Sequence, residues 1–135
     1  MVQIKSTYEG SLRTRAVHGP SSTELITDAP VDNQGKGESF SPTDLVATAL
    51  GTCMLTIMGI VAERHGWDLL GASVSVEKTM SADAPRRITE LAVVITVPAV
   101  LDAGARKALE KAAHGCPVHA TLGDRVNMPV EFVWG

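Results

Sequence analysis

The sequence has few aromatic residues, few cysteines and no run of like charges. Aromatic residues make up 4% of the 135 residues, cysteine occurs twice, and the formal net charge is −3. A slightly acidic chain with scattered lysines and arginines offers no basic face to a nucleic-acid backbone, so we expect no nucleic-acid partner. No low-complexity tract is present and 44% of the residues are apolar, which predicts a globular chain. Its length predicts a single domain over residues 1–135.

The common catalytic and targeting signatures are also absent. There is no G-x-S-x-G elbow, phosphate-binding loop, dinucleotide glycine fingerprint or H-E-x-x-H motif. The segment "HGCPVH" brings His114, Cys116 and His119 close in sequence, but one Cys-x2-His step falls short of the paired ligands of a structural zinc site. We therefore expect no metal and no cofactor. The first ten residues lack the pattern of a signal peptide, which favours a cytoplasmic location with reduced cysteines.

The periodicity of the apolar residues predicts an α+β domain with the element order β-β-β-α-β-β-α-α-β. Strands are predicted over Val2–Tyr8, Leu12–Val17, Thr23–Asp28, Leu69–Met80, Arg86–Pro98 and Val130–Trp134. Helices are predicted over Pro42–His65, Ala103–His114 and Pro117–Leu122. The segment Ala29–Ser39 contains turn residues without periodicity and is predicted to be a mobile loop.

The first predicted helix contains an uncharged run, Leu45–Ala62, that is long enough to span a membrane. Its acidic flanks, Asp44 and Glu63, and the soluble character of the remaining chain favour a core helix, so we expect no membrane partner. A helix that is apolar nearly all round must be covered on several sides. A chain of this length does not easily cover such a helix alone, which predicts a homodimer with a long buried central helix.

The two cysteines lie in different surroundings. Cys53 lies inside the apolar helix, where a cysteine is usually a packing residue unless a neighbouring cation activates it. Cys116 precedes Pro117 at a predicted helix start, where free N–H groups favour a thiolate and lower the pKa of the thiol. With the other motifs missing, redox or nucleophilic cysteine chemistry is the function that the residues favour.

A polar stripe runs down the same apolar helix. Thr48, Thr52 and Thr56 follow Asp44 at steps of four residues, so their side chains share one face. One interpretation is a functional surface beside Cys53. The other is that the threonine hydroxyls donate to carbonyl groups of their own helix.

Two segments carry a combined pattern of proline, small residues and cysteine. The first is "GKGESFSPTDLVATALGTCM", with Pro42 at the helix start and Cys53 about three turns later; the second is "HGCPVHATL", with Cys116 followed by Pro117. Together they resemble the OsmC/Ohr family of osmotically inducible and organic hydroperoxide resistance proteins, over essentially the whole chain. The resemblance implies an intertwined homodimer with the two long helices at its centre and two active sites at the subunit interface.

The resemblance also implies a cysteine-based peroxidase of the oxidative stress response. In the family cycle the first cysteine, here Cys53, attacks an organic hydroperoxide as a thiolate and becomes a sulfenic acid. The second cysteine, here Cys116, condenses with it to form a disulfide. An external dithiol such as a lipoylated protein then reduces this disulfide.

The chain departs from the peroxidase pattern at the start of the helix. The peroxidases of the family have a glutamate directly after the proline, paired with an arginine of the N-terminal hairpin that activates the thiolate. Here that position holds Thr43, with Asp44 beside it, and Glu38 in the preceding loop is a substitute whose register does not match. Arg13 and Arg15 are the candidate arginines because they share one face of the predicted strand, and we prefer Arg15.

These departures favour membership of the OsmC-like subgroup. They also leave a second hypothesis for the function. The chain would then be a dimeric binding protein for a small lipophilic ligand, and its cysteines would not be catalytic.

Overall fold

The structure is a computed structural model that describes residues 1–135. Its strands are β1 (Ile4–Gly10), β2 (Arg13–His18), β3 (Glu24–Asp28), β4 (Ser73–Met80), β5 (Ile88–Val97) and β6 (Val130–Trp134). Its helices are α1 (Pro42–His65), α2 (Ala103–His114) and α3 (Pro117–Leu122). This order confirms the predicted β-β-β-α-β-β-α-α-β arrangement and the α+β fold class.

The chain divides into two compact units, Met1–Val46 and Ala47–Gly135. The first unit contains the antiparallel sheet β1-β2-β3. The second contains the sheet β4-β5-β6, in which β5 pairs antiparallel with β4 and parallel with β6. A single domain over residues 1–135 stays a prediction.

The sheet of the first unit has an uncharged face and a charged face. The strand register places Ile4, Tyr8, Ala16 and Leu25 on the uncharged face, and both arginines of β2 on the other. Ile4 is 59% exposed, Tyr8 65% and Leu25 39%. No hydrophobic side chain of this unit is buried. The uncharged face therefore carries large apolar side chains that are partly exposed.

The core of the second unit is formed by one stripe of α1, one stripe of α2 and one face of β5. The buried residues of α1 are Ala47, Leu50, Gly51, Met54, Met58 and Ala62. Those of β5 are Leu91, Val93, Ile95 and Val97, and those of α2 are Ala105, Leu109 and Ala113. The spacing is that of one helix face and of alternate strand residues, so the elements pack as amphipathic layers.

Helix α1 is long and apolar enough to cross a membrane by length and composition, with a mean hydropathy of 2.1 over its most apolar window. The chain itself buries 33% of that window. A core helix passes the same test as a membrane span, and the buried stripe of α1 identifies it as part of the core of the second unit. The side that carries Thr48, Thr52 and Ile60 is exposed in the single chain.

The three helices begin and end at the predicted residues, whereas three strands are shorter than predicted: β4 by four residues, β5 by three and β3 by one. Helix α1 ends where Gly66 adopts a φ of +70°, the left-handed conformation that terminates many helices. Strand β4 begins at Ser73 instead of Leu69, because the residues in between form a turn: the Ala72 N–H donates to the Leu69 carbonyl at 2.9 Å. The predicted loop Ala29–Ser39 contains one turn of 3₁₀ helix, Val31–Asn33.

Candidate active site

Cys53 lies on α1 at the border of the buried stripe. Its neighbour Met54 is fully buried, while Cys53 itself is half-buried and carries a free thiol. The threonine stripe lies beside Cys53 on the exposed side of α1. Thr52 Oγ1 donates to the Thr48 carbonyl at 2.7 Å and Thr56 Oγ1 to the Thr52 carbonyl at 2.8 Å. These hydroxyls bond to their own helix, as the second interpretation of the polar stripe proposes.

Cys116 lies at the junction of α2 and α3. Gly115 ends α2, since its N–H donates to carbonyl groups of the last turn, and Pro117 is the first residue of α3. The Cys116 side chain is fully buried and its Sγ accepts a hydrogen bond from the His119 N–H at 3.2 Å. Cys116 therefore occupies the N-cap position of α3, which is more often taken by serine, threonine or aspartate.

The two cysteine side chains lie within interaction range of each other, because Cys53 is among the groups that act on the Cys116 thiol. Burial raises the pKa of the Cys116 thiol; the His119 N–H opposes this rise, and the hydrogen bond to Cys53 and the charge of a Cys53 thiolate add to it. The prediction of a lowered pKa for Cys116 is wrong. Desolvation of the buried sulfur raises the pKa by more than the N–H groups at the helix start lower it.

Two free thiols that lie close together can form an intrachain disulfide once one of them is oxidised. The two sulfurs differ in exposure, since Cys116 is fully buried and Cys53 is half-buried.

The two arginines of β2 have different partners. Arg13 donates to the Glu38 carboxylate and lies 3.6 Å from Asp28 Oδ2. Arg15 donates to Glu9 Oε2 at 3.1 Å and to Glu24 Oε2 at 2.7 Å. Hydrogen bonds and opposite charges raise the pKa of both guanidinium groups, through Glu38 for Arg13 and through Glu9 for Arg15. Glu38, the proposed substitute for the family glutamate, thus pairs with Arg13.

Thr43 and Asp44 belong to the N-terminal cap of α1. The Ser41 N–H donates to Asp44 Oδ2 at 2.9 Å, and the Asp44 N–H donates to Ser41 Oγ at 3.1 Å. These reciprocal bonds form a capping box. The Thr43 hydroxyl lies 3.1 Å from Ser41 Oγ. Asp44 therefore stabilises the start of α1 as a member of its N-terminal cap.

The histidines beside Cys116 form a ring contact without a metal cluster. The ring centroids of His114 and His119 are 6.0 Å apart, and those of His114 and Phe132 are also 6.0 Å apart. No group of three or more His, Cys, Asp or Glu side chains in residues 1–135 is arranged to hold a metal ion.

Sequence reasoning missed one residue beside Arg13 in the first unit, Asp28. It is fully buried and touches both Arg13 and the loop that carries Glu38. The predicted strand already ended at Asp28, but only the pairing of Arg13 with Asp28 across β2 and β3 shows that the two share a face.

The order of elements and the paired thiols agree with a family match. The family model described as OsmC-like protein matches residues 35–131. The chain belongs to the OsmC family. The match includes α1 with Cys53, the α2–α3 junction with Cys116 and Glu38 in the preceding loop. No curated protein matches the sequence.

Solved structures of other OsmC-family proteins have the same fold. A candidate osmotic stress induced and detoxification response protein from Psychrobacter arcticus is 48% identical, with a TM-score of 0.92 over 98% of this chain and 96% of that one. The organic hydroperoxide resistance protein OsmC of Legionella pneumophila is 18% identical, with a TM-score of 0.79 over 98% and 96%. A candidate organic hydroperoxide resistance protein of Vibrio cholerae is 19% identical, with a TM-score of 0.76 over 96% and 90%.

Proposed function

We propose that this OsmC-family chain is a thiol-dependent peroxidase that reduces organic hydroperoxides. The observation that carries the proposal is the proximity of Cys53 and Cys116, two free thiols from distant parts of the sequence. The names of two structural relatives, from Legionella pneumophila and Vibrio cholerae, include organic hydroperoxide resistance. Family membership and a preformed thiol pair together support this chemistry over a purely structural role for the cysteines.

The proposed cycle has three balanced steps. The Cys53 thiolate attacks the terminal oxygen of the hydroperoxide, the O–O bond breaks, and the alkoxide takes a proton to leave as an alcohol. The Cys116 sulfur then attacks the sulfur of the Cys53 sulfenic acid; its own proton leaves with the hydroxide as water, and a disulfide forms. An external dithiol such as a lipoylated protein reduces the disulfide and becomes a disulfide itself.

The environment of the thiols favours an organic substrate. Cys53 lies in the uncharged run Leu45–Ala62 of α1, and Cys116 is fully buried. Alkyl groups of a hydroperoxide gain from leaving water at such a site, whereas hydrogen peroxide has no alkyl group to bury. We therefore propose cumene hydroperoxide and similar compounds as substrates in preference to hydrogen peroxide.

An arginine of β2 is proposed to assist the thiolate. Arg13 and Arg15 both remain candidates for this role, and the contacts favour Arg13. Its partner Glu38 supplies the Arg–Glu pair that the chain lacks at Thr43, whereas Arg15 is held by Glu9 and Glu24 on the strands beside it.

We also propose that the working form is a cytoplasmic homodimer. Two surfaces support a second subunit: the uncharged face of the β1-β2-β3 sheet and the exposed side of α1. Both carry apolar residues without cover in the single chain, as Tyr8 and Ile60 show at 65% and 42% exposure. Surfaces of this kind mark contacts with another chain.

A dimeric binding protein with non-catalytic cysteines is the alternative. A pocket of about 440 Å³ lies between the C-terminal half of α1 and the turn before β4, and Leu55, Gly59, Glu63, Trp67 and Leu69 are among its lining residues. Neither cysteine lines it. A ligand in this pocket would leave the thiol pair unexplained, so the peroxidase is the better supported function.

Peroxide consumption by cysteine variants tests the proposal. With cumene hydroperoxide and dihydrolipoamide, we expect multiple turnovers by the native protein and no consumption above the uncatalysed rate by Cys53→Ser. Cys116→Ser should consume about one equivalent per chain and then stop, because no resolving thiol remains. Thr56→Ala, an exposed position on the same helix, should match the native protein. Equal rates for the native protein and Cys53→Ser would overturn the proposal.

A further inference from the structure

Asp28 is a buried carboxylate on the charged face of the first sheet. It is the last residue of β3 and its side chain is 0% exposed. The other buried polar residues, Thr27 and Ser41, do not ionise in the ordinary pH range, so Asp28 is the one buried acid or base apart from Cys116. Burial of a carboxylate is unfavourable unless charged and hydrogen-bonding partners compensate.

The partners of Asp28 are few and belong to two different segments. Oδ2 accepts the Glu38 N–H at 3.0 Å and lies 3.6 Å from the Arg13 guanidinium. Oδ1 has no hydrogen-bond partner. A buried polar atom without a partner is rare in folded proteins. The position is costly to occupy with an acid, and stability alone does not account for it.

The backbone around Asp28 fastens the end of the loop that leads into α1. The Asp28 N–H donates to the Phe40 carbonyl at 3.0 Å, and Ser39 Oγ donates to the Ile26 carbonyl at 2.8 Å. Together with the bond from the Glu38 N–H, these contacts hold three successive loop residues against β3. The loop is therefore fixed at the point where it carries Glu38, directly before the capping box of α1.

The two carboxylates around Arg13 differ in exposure. The Glu38 side chain is 57% exposed and that of Arg13 is 34% exposed, so water competes with this ion pair. The Asp28 carboxylate is out of water, and its charge acts on Arg13 with little screening. Water can therefore weaken the pair between Glu38 and Arg13, whereas Asp28 is a buried charge beside the guanidinium.

We infer that Asp28 is a positioning residue, which orients Arg13 and fixes the loop carrying Glu38. The effect of Asp28 on catalysis rests on the proposed peroxidase function and on the role proposed for Arg13. The effect of Asp28 on the position of the loop is independent of both. Because Asp28 acts through Arg13, substitution of Asp28 should lower the rate no further once Arg13 has been substituted.

A double-mutant cycle tests this inference. Asp28→Asn keeps the size of the side chain and an oxygen acceptor but removes the charge beside Arg13. We expect kcat/KM for cumene hydroperoxide to fall about tenfold to a hundredfold, the range that follows from misplacing a catalytic group by about 1 Å. In the Arg13→Gln background the same substitution should have no further effect. The matched control is Glu77→Gln, an exposed carboxylate on β4, which should leave kcat/KM unchanged.

Two readouts stay informative if the protein has no peroxidase activity. In the Cys116→Ser background, Asp28→Asn and Arg13→Gln should lower the rate of Cys53 alkylation by iodoacetamide to the same extent. Hydrogen exchange of the Glu38 amide should be faster in Asp28→Ala than in the native protein, because its acceptor is missing. Thermal unfolding of each variant shows whether the protein is still folded, so that unfolding is distinguished from misplacement of Arg13 and the loop. Asp28→Glu is a further substitution for this comparison.

The outcomes for the two proposals are distinct. Absence of turnover in the native protein would overturn the peroxidase while the alkylation and exchange rates still decide the role of Asp28. The inference is overturned if Asp28→Asn lowers kcat/KM equally in the native and Arg13→Gln backgrounds. It is also overturned if the Glu38 amide exchanges at the native rate in Asp28→Ala and the alkylation rate is unchanged.

Discussion

Gly51 on α1 and Val76 on β4 meet with no room for a side chain between them. A Cβ added to Gly51 would lie 2.9 Å from Val76 Cγ2 and 3.1 Å from Val74 Cγ1. The helix therefore lies directly on the branched side chains of the strand. This approach sets the depth of α1 in the second unit two residues before Cys53.

We expect Gly51→Ala to lower the free energy of unfolding by about 1–3 kcal/mol, the usual effect of overpacking a core. The better helix propensity of alanine offsets only part of this, at about 1 kcal/mol. Gly59 is the matched control, because a Cβ there would meet nothing within 4 Å. Gly59→Ala should stabilise the protein. Urea titrations measure the free energy of unfolding of both variants. An equal change for Gly51→Ala and Gly59→Ala would contradict the packing argument.

The stability of the protein should fall at alkaline pH because of Cys116. Burial raises the pKa of this thiol, so the folded protein keeps a proton that the unfolded chain releases. The stabilisation is fully present below the ordinary thiol value of about 8.5 and is lost as pH rises through the higher pKa of the folded state. Urea titrations between about pH 7 and about pH 10 measure this slope.

Cys116→Ser provides the comparison for the alkaline slope. Serine keeps an oxygen at the cap of α3 and does not ionise in this range, so the decline with pH should be shallower in the variant. All other titrating groups are common to both proteins. An identical slope in the native protein and in Cys116→Ser would show that the loss of stability comes from elsewhere.

The uncharged face of the first sheet should be the site of dimer contact. Sedimentation equilibrium of the native protein is expected to give twice the chain mass of 14.2 kDa. Tyr8→Glu and Leu25→Glu place a charge on this face and should shift the protein toward a monomer, because a charge without a partner is unfavourable in an interface. Lys5→Glu reverses a charge on the opposite face and should leave the mass unchanged. A native monomer would contradict the prediction.

Local signals in the sequence were sufficient for the order of elements and the ends of the helices. Pro42 begins α1 through its fixed φ, and Gly66 ends it by adopting the left-handed φ of +70°; neither effect depends on distant contacts. Strand β4 was predicted four residues too long, since Leu69 and Leu70 look like strand residues, whereas the fold uses them in a turn. Apolar character alone does not distinguish these two uses.

The candidate site depended on contacts that no sequence window contains. Cys53 on α1 and Cys116 at the cap of α3 come close together only in the fold, and the burial that raises the pKa of Cys116 comes from packing. Asp28 is similar, since nothing in "TELITD" distinguishes a buried carboxylate from an exposed one. Its pairing with Arg13 follows from strand register, which long-range hydrogen bonding decides.

The sulfur at the cap of α3 has a consequence for the stability of this helix start. Sulfur is a weak hydrogen-bond acceptor, so Cys116 holds the His119 N–H less well than a serine hydroxyl would. The residue that would stabilise this helix start most and the residue that can form a disulfide are therefore different. Position 116 is where selection for stability and selection for reactivity would choose different residues.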